Sequence, residues 1–191
     1  MEALFISTGV VALAEIGDKT QLLAFILAAR FKKPLPIIAG ILCATLVNHG
    51  LAGVLGAWIT SVVSPEAMRW VLGLSFIAMA VWTLIPDKIE EEETQVAKHL
   101  GVFGATLITF FLAEMGDKTQ IATVALAAHY GAPLLVVLGT TLGMLVADVP
   151  AVFVGNRFAA KIPMKLVHSI AAGIFALMGV LTLFKVEKLF Q

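Results

Sequence analysis

The chain has 191 residues, 60% of them hydrophobic and 14% charged, with 13 basic and 13 acidic side chains and a formal net charge of zero; its mean hydropathy is +0.98. Soluble domains are roughly half apolar and about a quarter charged, and a domain of this size has too little interior to bury such an excess, so the surplus is expected to face lipid. Zero net charge argues against a basic patch that neutralises phosphates, and with it against a nucleic-acid partner; the single cysteine, Cys43, excludes an intrachain disulfide and a cluster of thiolates around zinc.

Met1-Glu2-Ala3-Leu4-Phe5 lacks the basic region of a signal peptide, so the first hydrophobic segment reads as a retained transmembrane helix. About 20 mostly apolar residues cross a bilayer. Six stretches meet that length, at roughly 3–31, 35–61, 67–86, 100–130, 133–156 and 166–185. The breakers between them are Lys32-Lys33-Pro34, Ser64-Pro65, Gly131-Ala132-Pro133 and Lys161-Ile162-Pro163. The polar linker between the third and fourth, with Glu90, Glu91, Glu92 and Glu93 in succession, reads as solvated chain. Arg30, Lys32, Lys33, Lys88, Lys98, Arg157, Lys161 and Lys165 fall on one side of the membrane, against Arg69, Lys185 and Lys188 on the other. The bias of basic residues toward the cytoplasm therefore places the acidic linker inside and both termini outside.

The chain contains itself twice. Leu13-Ala14-Glu15-Ile16-Gly17-Asp18-Lys19-Thr20-Gln21 recurs 99 residues later as Leu112-Ala113-Glu114-Met115-Gly116-Asp117-Lys118-Thr119-Gln120, identical at eight of nine positions. The same offset pairs Ala28-Ala29 with Ala127-Ala128, Pro34 with Pro133, Gly40 with Gly139, Gly56 with Gly155 and Thr83-Leu84 with Thr182-Leu183. The expected organisation is two membrane repeats, 1–86 and 100–191, joined by the linker 87–99. Because each repeat has an odd number of spans, the second must enter from the opposite side. The expected fold is an all-α integral membrane protein of six helices in a 3+3 inverted repeat, a plan that places a substrate site near the membrane midplane.

Each copy carries Glu-x-Gly-Asp-Lys-Thr-Gln deep inside its hydrophobic segment, where charged side chains cost several kcal/mol and mark functional sites. On a continuous helix Glu15, Asp18 and Lys19 share a face. The stretch 3–31 is about 43 Å as straight helix at ~1.5 Å per residue, longer than a roughly 30 Å hydrocarbon core, which leaves room for a tilt or a break near Gly17 that would expose carbonyls. Glu15, Asp18, Glu114 and Asp117 together carry −4 and Lys19 and Lys118 return +2. The remaining −2 is what one divalent cation or two protons neutralise, so the two are expected to compete for the same oxygens. Thr20, Thr119, Gln21 and Gln120 add neutral oxygens. In the second helix of each repeat, Asn48 and His49 lie mid-segment and His49 aligns with Asp148; both are candidates for completing the site or relaying protons. A donor set of oxygens plus one imidazole suits Mn²⁺, Ca²⁺ or Mg²⁺ and disfavours Cu(I). Met115, in place of Ile16, reads as packing. No nucleophile elbow, zinc-protease motif or phosphate-binding loop is present in the sequence, so neither an enzyme nor an ATP-driven pump is expected.

With these paired motifs the chain resembles the Gdt-type cation/proton exchanger family, whose signature is a hydrophobic residue followed by E-x-G-D-[KR]-[TS]. Glu15-Ile16-Gly17-Asp18-Lys19-Thr20 and Glu114-Met115-Gly116-Asp117-Lys118-Thr119 both match it, and the two copies span nearly the whole chain. The resemblance implies a secondary transporter exchanging Mn²⁺ or Ca²⁺ for protons, without a cofactor, with the motif acids as its metal ligands; short bacterial members resemble manganese exporters, which suits an inner-membrane protein. The alternatives are a non-transporting metal-binding scaffold or sensor, and an exporter of another small substrate.

Overall fold

The computed structural model describes residues 1–85, 100–154 and 164–184. The expected acidic linker, and with it Lys88, Lys98, Arg157, Lys161, Lys185 and Lys188 of the orientation argument, lies outside the described residues. Those residues form eight helices and no strand: α1 Glu2–Glu15, α2 Lys19–Phe31, α3 Pro34–Val62, α4 Pro65–Thr83, α5 Val102–Glu114, α6 Lys118–Tyr130, α7 Pro133–Val154 and α8 Met164–Phe184. Pro34, Pro65 and Pro133 each open a helix, where the missing N–H costs nothing. Ser64 caps α4, its hydroxyl accepting from the Ala67 N–H. Of the expected spans, 3–31 and 100–130 are each two helices, broken at Ile16–Asp18 and at Met115–Asp117. Pro34–Val62 and Pro133–Phe153 are each long and apolar enough to cross a membrane.

Packing partners repeat between the halves. α1 packs on α7 as α5 packs on α3, α2 meets α7 as α6 meets α3, and α4 lies against α8. Close approach requires glycine at matching places. A Cβ on Gly40 would stand 2.7 Å from Thr106 Cβ, and one on Gly139 would stand 2.5 Å from the Leu4 carbonyl oxygen and 3.0 Å from Ser7 Cβ. Gly40 and Gly139 are 99 residues apart, as are Ser7 and Thr106. α3 and α7 cross antiparallel: Gly53, late in α3, meets Pro133 and Val137, early in α7. At the other end Ile37, Ile41 and Ala44 share a core cluster with Ala151 and Val152.

The polarity of the molecule is inverted relative to a water-soluble fold. Val54 is 70% exposed and Trp58 59% exposed, and Leu51, Val81, Phe153 and Leu177 lie equally open. Glu15, Glu114, Asp148, Asn48 and His49 are fully buried. Water would reverse both preferences; a hydrocarbon surround accounts for them.

Candidate functional site

The site is built on two copies of one turn. Ile16 ends α1 in extended conformation (φ −63°, ψ 114°), Gly17 follows at φ +88°, and the Asp18 N–H donates to the Glu15 carbonyl at 3.0 Å. This is a type II β-turn, whose third residue needs positive φ and hence glycine. Met115 (φ −64°, ψ 119°), Gly116 (φ +75°) and the Asp117 N–H on the Glu114 carbonyl at 3.2 Å repeat it. The aspartates then start the next helices as N-caps, and Asp18 Oδ1 accepts from the Lys19 N–H at 2.7 Å. The glutamines brace the turn from behind. Gln21 Oε1 accepts from the Gly17 N–H at 3.0 Å and Gln120 Oε1 from the Gly116 N–H at 2.8 Å, a variant of the capping box in which the third helical residue reaches back. Gln21 Nε2 also donates to the Ala147 carbonyl of α7 at 3.0 Å.

The break changes the geometry expected from the sequence. Glu15 and Asp18 do not share a helical face; the turn sets Glu15 at the end of one helix and Asp18 at the start of the next, so spacing rules for a continuous helix do not apply across Gly17. Thr20 Oγ1 donates to Glu15 Oε2 at 2.6 Å, and Thr119 Oγ1 to Glu114 Oε2 at 2.9 Å. Each threonine thus orients one glutamate oxygen, while Glu15 Oε1 and Glu114 Oε1 have no hydrogen-bond partner among the described residues. The opened carbonyls at Glu15 and Glu114 are taken by the turns themselves.

One carboxylate oxygen each from Glu15, Glu114 and Asp117 lies within 4.8 Å of the others, all buried, a spacing able to hold a metal ion. Asp18 is engaged differently: its Oδ2 is 2.8 Å from Lys118 Nζ, both side chains closed to solvent. Lys118 is 2% exposed, whereas Lys19, its counterpart, is only partly buried. The charge compensation is therefore asymmetric and runs between the repeats. Asp148, with neither oxygen hydrogen-bonded among the described residues, lies within electrostatic reach of Glu15 and Asp18 and of Glu114. Asn48 Nδ2 donates to the Phe111 carbonyl at 3.0 Å. His49 is buried with neither ring nitrogen hydrogen-bonded and stands outside the 4.8 Å triad. Met115 is 56% exposed at its turn. Buried hydroxyls the sequence reading passed over, Ser7, Thr45 and Thr141, also lack hydrogen-bond partners among the described residues; hydroxyl side chains on otherwise apolar helices were their only signal.

The turn gives a direct test. Gly116→Ala places a Cβ at positive φ, at about 1–2 kcal/mol, although nothing crowds that position. The expected result is a folded protein with a misplaced Glu114 and Asp117, and at least ~10-fold weaker metal binding, as for loss of a supporting contact. Unchanged binding would mean the turn does not set the triad.

A family profile described as "Divalent cation/proton antiporter GDT1" matches residues 3–91 and again residues 102–189. A Vibrio cholerae protein named "Putative manganese exporter" is 52% identical over 185 residues, covering 96% of this chain and 92% of the relative. A "GDT1-like protein 3" of Oryza sativa subsp. indica is 32% identical over 200 residues, covering 91% of this chain and 71% of the relative. A "GDT1-like protein 5" of Arabidopsis thaliana is 27% identical, with 90% of each chain covered. No solved structure matches the chain.

Proposed function

This chain belongs to the divalent cation/proton antiporter family GDT1, and from that premise we propose that it exports Mn²⁺, with Ca²⁺ as a second cargo, against entering protons. The proposed frame is six spans in a 3+3 inverted repeat, 1–86 and 100–191 with the linker 87–99 between, in a bacterial inner membrane, termini outside and linker cytoplasmic. The observation that carries the reading is the convergence of Glu15, Glu114 and Asp117 within 4.8 Å in a buried setting, from equivalent turns of the two repeats. Oxygen donors of this kind suit a hard divalent cation, and the Vibrio relative's name favours Mn²⁺.

In this reading Glu15, Glu114 and Asp117 take the cation through their convergent carboxylate oxygens. Thr20 and Thr119 hold the opposite oxygens in place. Asp18 pairs with Lys118 and, with Lys19, sets the site's net charge. Gln21 and Gln120 fix the turns, Asn48 ties α3 to α5, and Asp148 borders the site, with His49 its counterpart in the repeat. Four motif carboxylates and two lysines sum to −2, which one divalent cation or two protons neutralise. An empty, fully charged site in low dielectric is strongly disfavoured, so a departing metal is replaced by protons, and lowering the pH weakens metal binding.

Proton release on binding tests this without a membrane. Adding Mn²⁺ to purified protein in weakly buffered detergent solution should acidify it, and the Glu15→Gln/Glu114→Gln variant should not. Stoichiometric metal binding with no proton release would contradict exchange by competition.

A further inference from the structure

His49 is a polar side chain that the packing of the described residues does not explain. It is fully buried, and neither Nδ1 nor Nε2 has a hydrogen-bond partner among the described residues. A neutral imidazole carries one donor and one acceptor, and burying both unpaired is costly, so a satisfied structural role does not account for it.

Its position follows from the repeat. On the second half, Gly143 of α7 packs against the Thr8 carbonyl and the Ala12 N–H of α1. Five residues on, Asp148 comes level with the end of α1, within electrostatic reach of Glu15 and Asp18. On the first half α3 runs along α5 in the same way. Gly40 packs against Thr106 and the Phe103 carbonyl, and Asn48 donates to the Phe111 carbonyl, one turn before Glu114. The next residue, His49, is the counterpart of Asp148 at the 99-residue offset. His49 thus holds in α3 the repeat position that Asp148 holds in α7, and the two halves differ there in donor chemistry, nitrogen against oxygen.

We infer that His49 is a specificity-determining ligand, an imidazole nitrogen that joins Glu114 and Asp117 around the cation when the halves close on it. The inference rests on the metal-transport reading above. Ca²⁺ and Mg²⁺ take oxygen donors almost exclusively, whereas first-row transition metals accept imidazole. A nitrogen donor on one side of an oxygen site therefore raises affinity for Mn²⁺ relative to Ca²⁺ and Mg²⁺. By the same donor order it does not exclude Fe²⁺ or Co²⁺, so the site should bind those as well.

Pulsed electron paramagnetic resonance on the purified full chain loaded with Mn²⁺ reads a directly bound nitrogen through its hyperfine coupling. The expected result is one imidazole coupling in the wild type, lost in His49→Gln while Mn²⁺ still binds, with the Mn²⁺-to-Ca²⁺ affinity ratio reduced about 10-fold, the order of one donor contact. The chain has four histidines. A variant with His99, His129 and His168 replaced by Gln leaves the site untouched and should keep the coupling, which guards against misfolding of the His49 variant. No nitrogen coupling in wild-type protein that binds Mn²⁺, or coupling that survives in His49→Gln, overturns the assignment while leaving the carboxylate triad standing. No Mn²⁺ binding at all would overturn the triad reading and this inference together.

Discussion

Replacing Glu15 and Glu114 together with glutamine is expected to abolish metal flux, by more than ~100-fold, while leaving the protein folded. Outer partners of a metal ligand are worth 10–100-fold in affinity, and these two residues are first ligands in the proposed site. Glutamine keeps the shape of glutamate and an oxygen able to accept from Thr20 or Thr119, so the turns survive; what is lost is two negative charges at the convergent oxygens. Each single variant should fall most of the way, because the triad needs both repeats. The measurement is Mn²⁺ uptake into vesicles, with thermal unfolding in detergent as the control for folding. Normal flux in both single variants would remove these glutamates from the site.

The second large effect concerns stability. Lys118→Met should destabilise the protein by about 3–5 kcal/mol, because removing one partner of a buried ion pair strands the other charge. The stranded group is Asp18, 2.8 Å from Lys118 Nζ with its side chain closed to solvent. Lys19→Met, at the equivalent but partly exposed position, should cost far less, since exposed pairs contribute little. Adding Asp18→Asn to Lys118→Met should recover much of the loss, because asparagine still caps α2. Two lysine variants of equal stability, read by unfolding midpoint, would deny the asymmetry. The same double variant should alter the pH dependence of Mn²⁺ binding, since it changes which charges surround the triad.

Much of this was legible in the sequence because the fold is written twice. The 99-residue offset carries the turn residues, the helix-opening prolines and the close-packing glycines, and a feature seen at both positions is hard to mistake. Gly17 left room for a tilt or a break, and the positive φ of Gly17 and Gly116 shows breaks at both motifs. The three convergent carboxylates were among the motif acids read as ligands. What misled was the helical spacing. It placed Glu15, Asp18 and Lys19 on one face, whereas the turn separates them and Lys118 reaches across to Asp18 from the other repeat. Periodicity describes neighbours along one helix and is silent on contacts 100 residues apart (118 − 18). The glutamines illustrate a related point: as side-chain oxygens they resembled ligands, but a glutamine three residues after a helix cap is also well placed to brace the turn before it, and both do so.

The same logic explains why His49 and Asp148 stood out without a partner being assignable. Their polarity within apolar helices is a sequence property. Their relation to the two motifs depends on α3 running beside α5 and α7 beside α1, which Gly40, Gly139 and Gly143 make possible through close approach.

The central claim is exchange of a divalent cation for protons, and coupled flux tests it most directly. Purified protein in sealed vesicles, with Mn²⁺ and Ca²⁺ followed separately, should drive Mn²⁺ against its own gradient when a pH gradient is imposed. Collapsing the pH gradient should stop that movement, and the Glu15→Gln/Glu114→Gln variant should show none. Metal flux indifferent to the pH gradient, or folded protein that binds Mn²⁺ and moves none, would contradict the account and leave a channel in the first case or a metal-binding scaffold in the second.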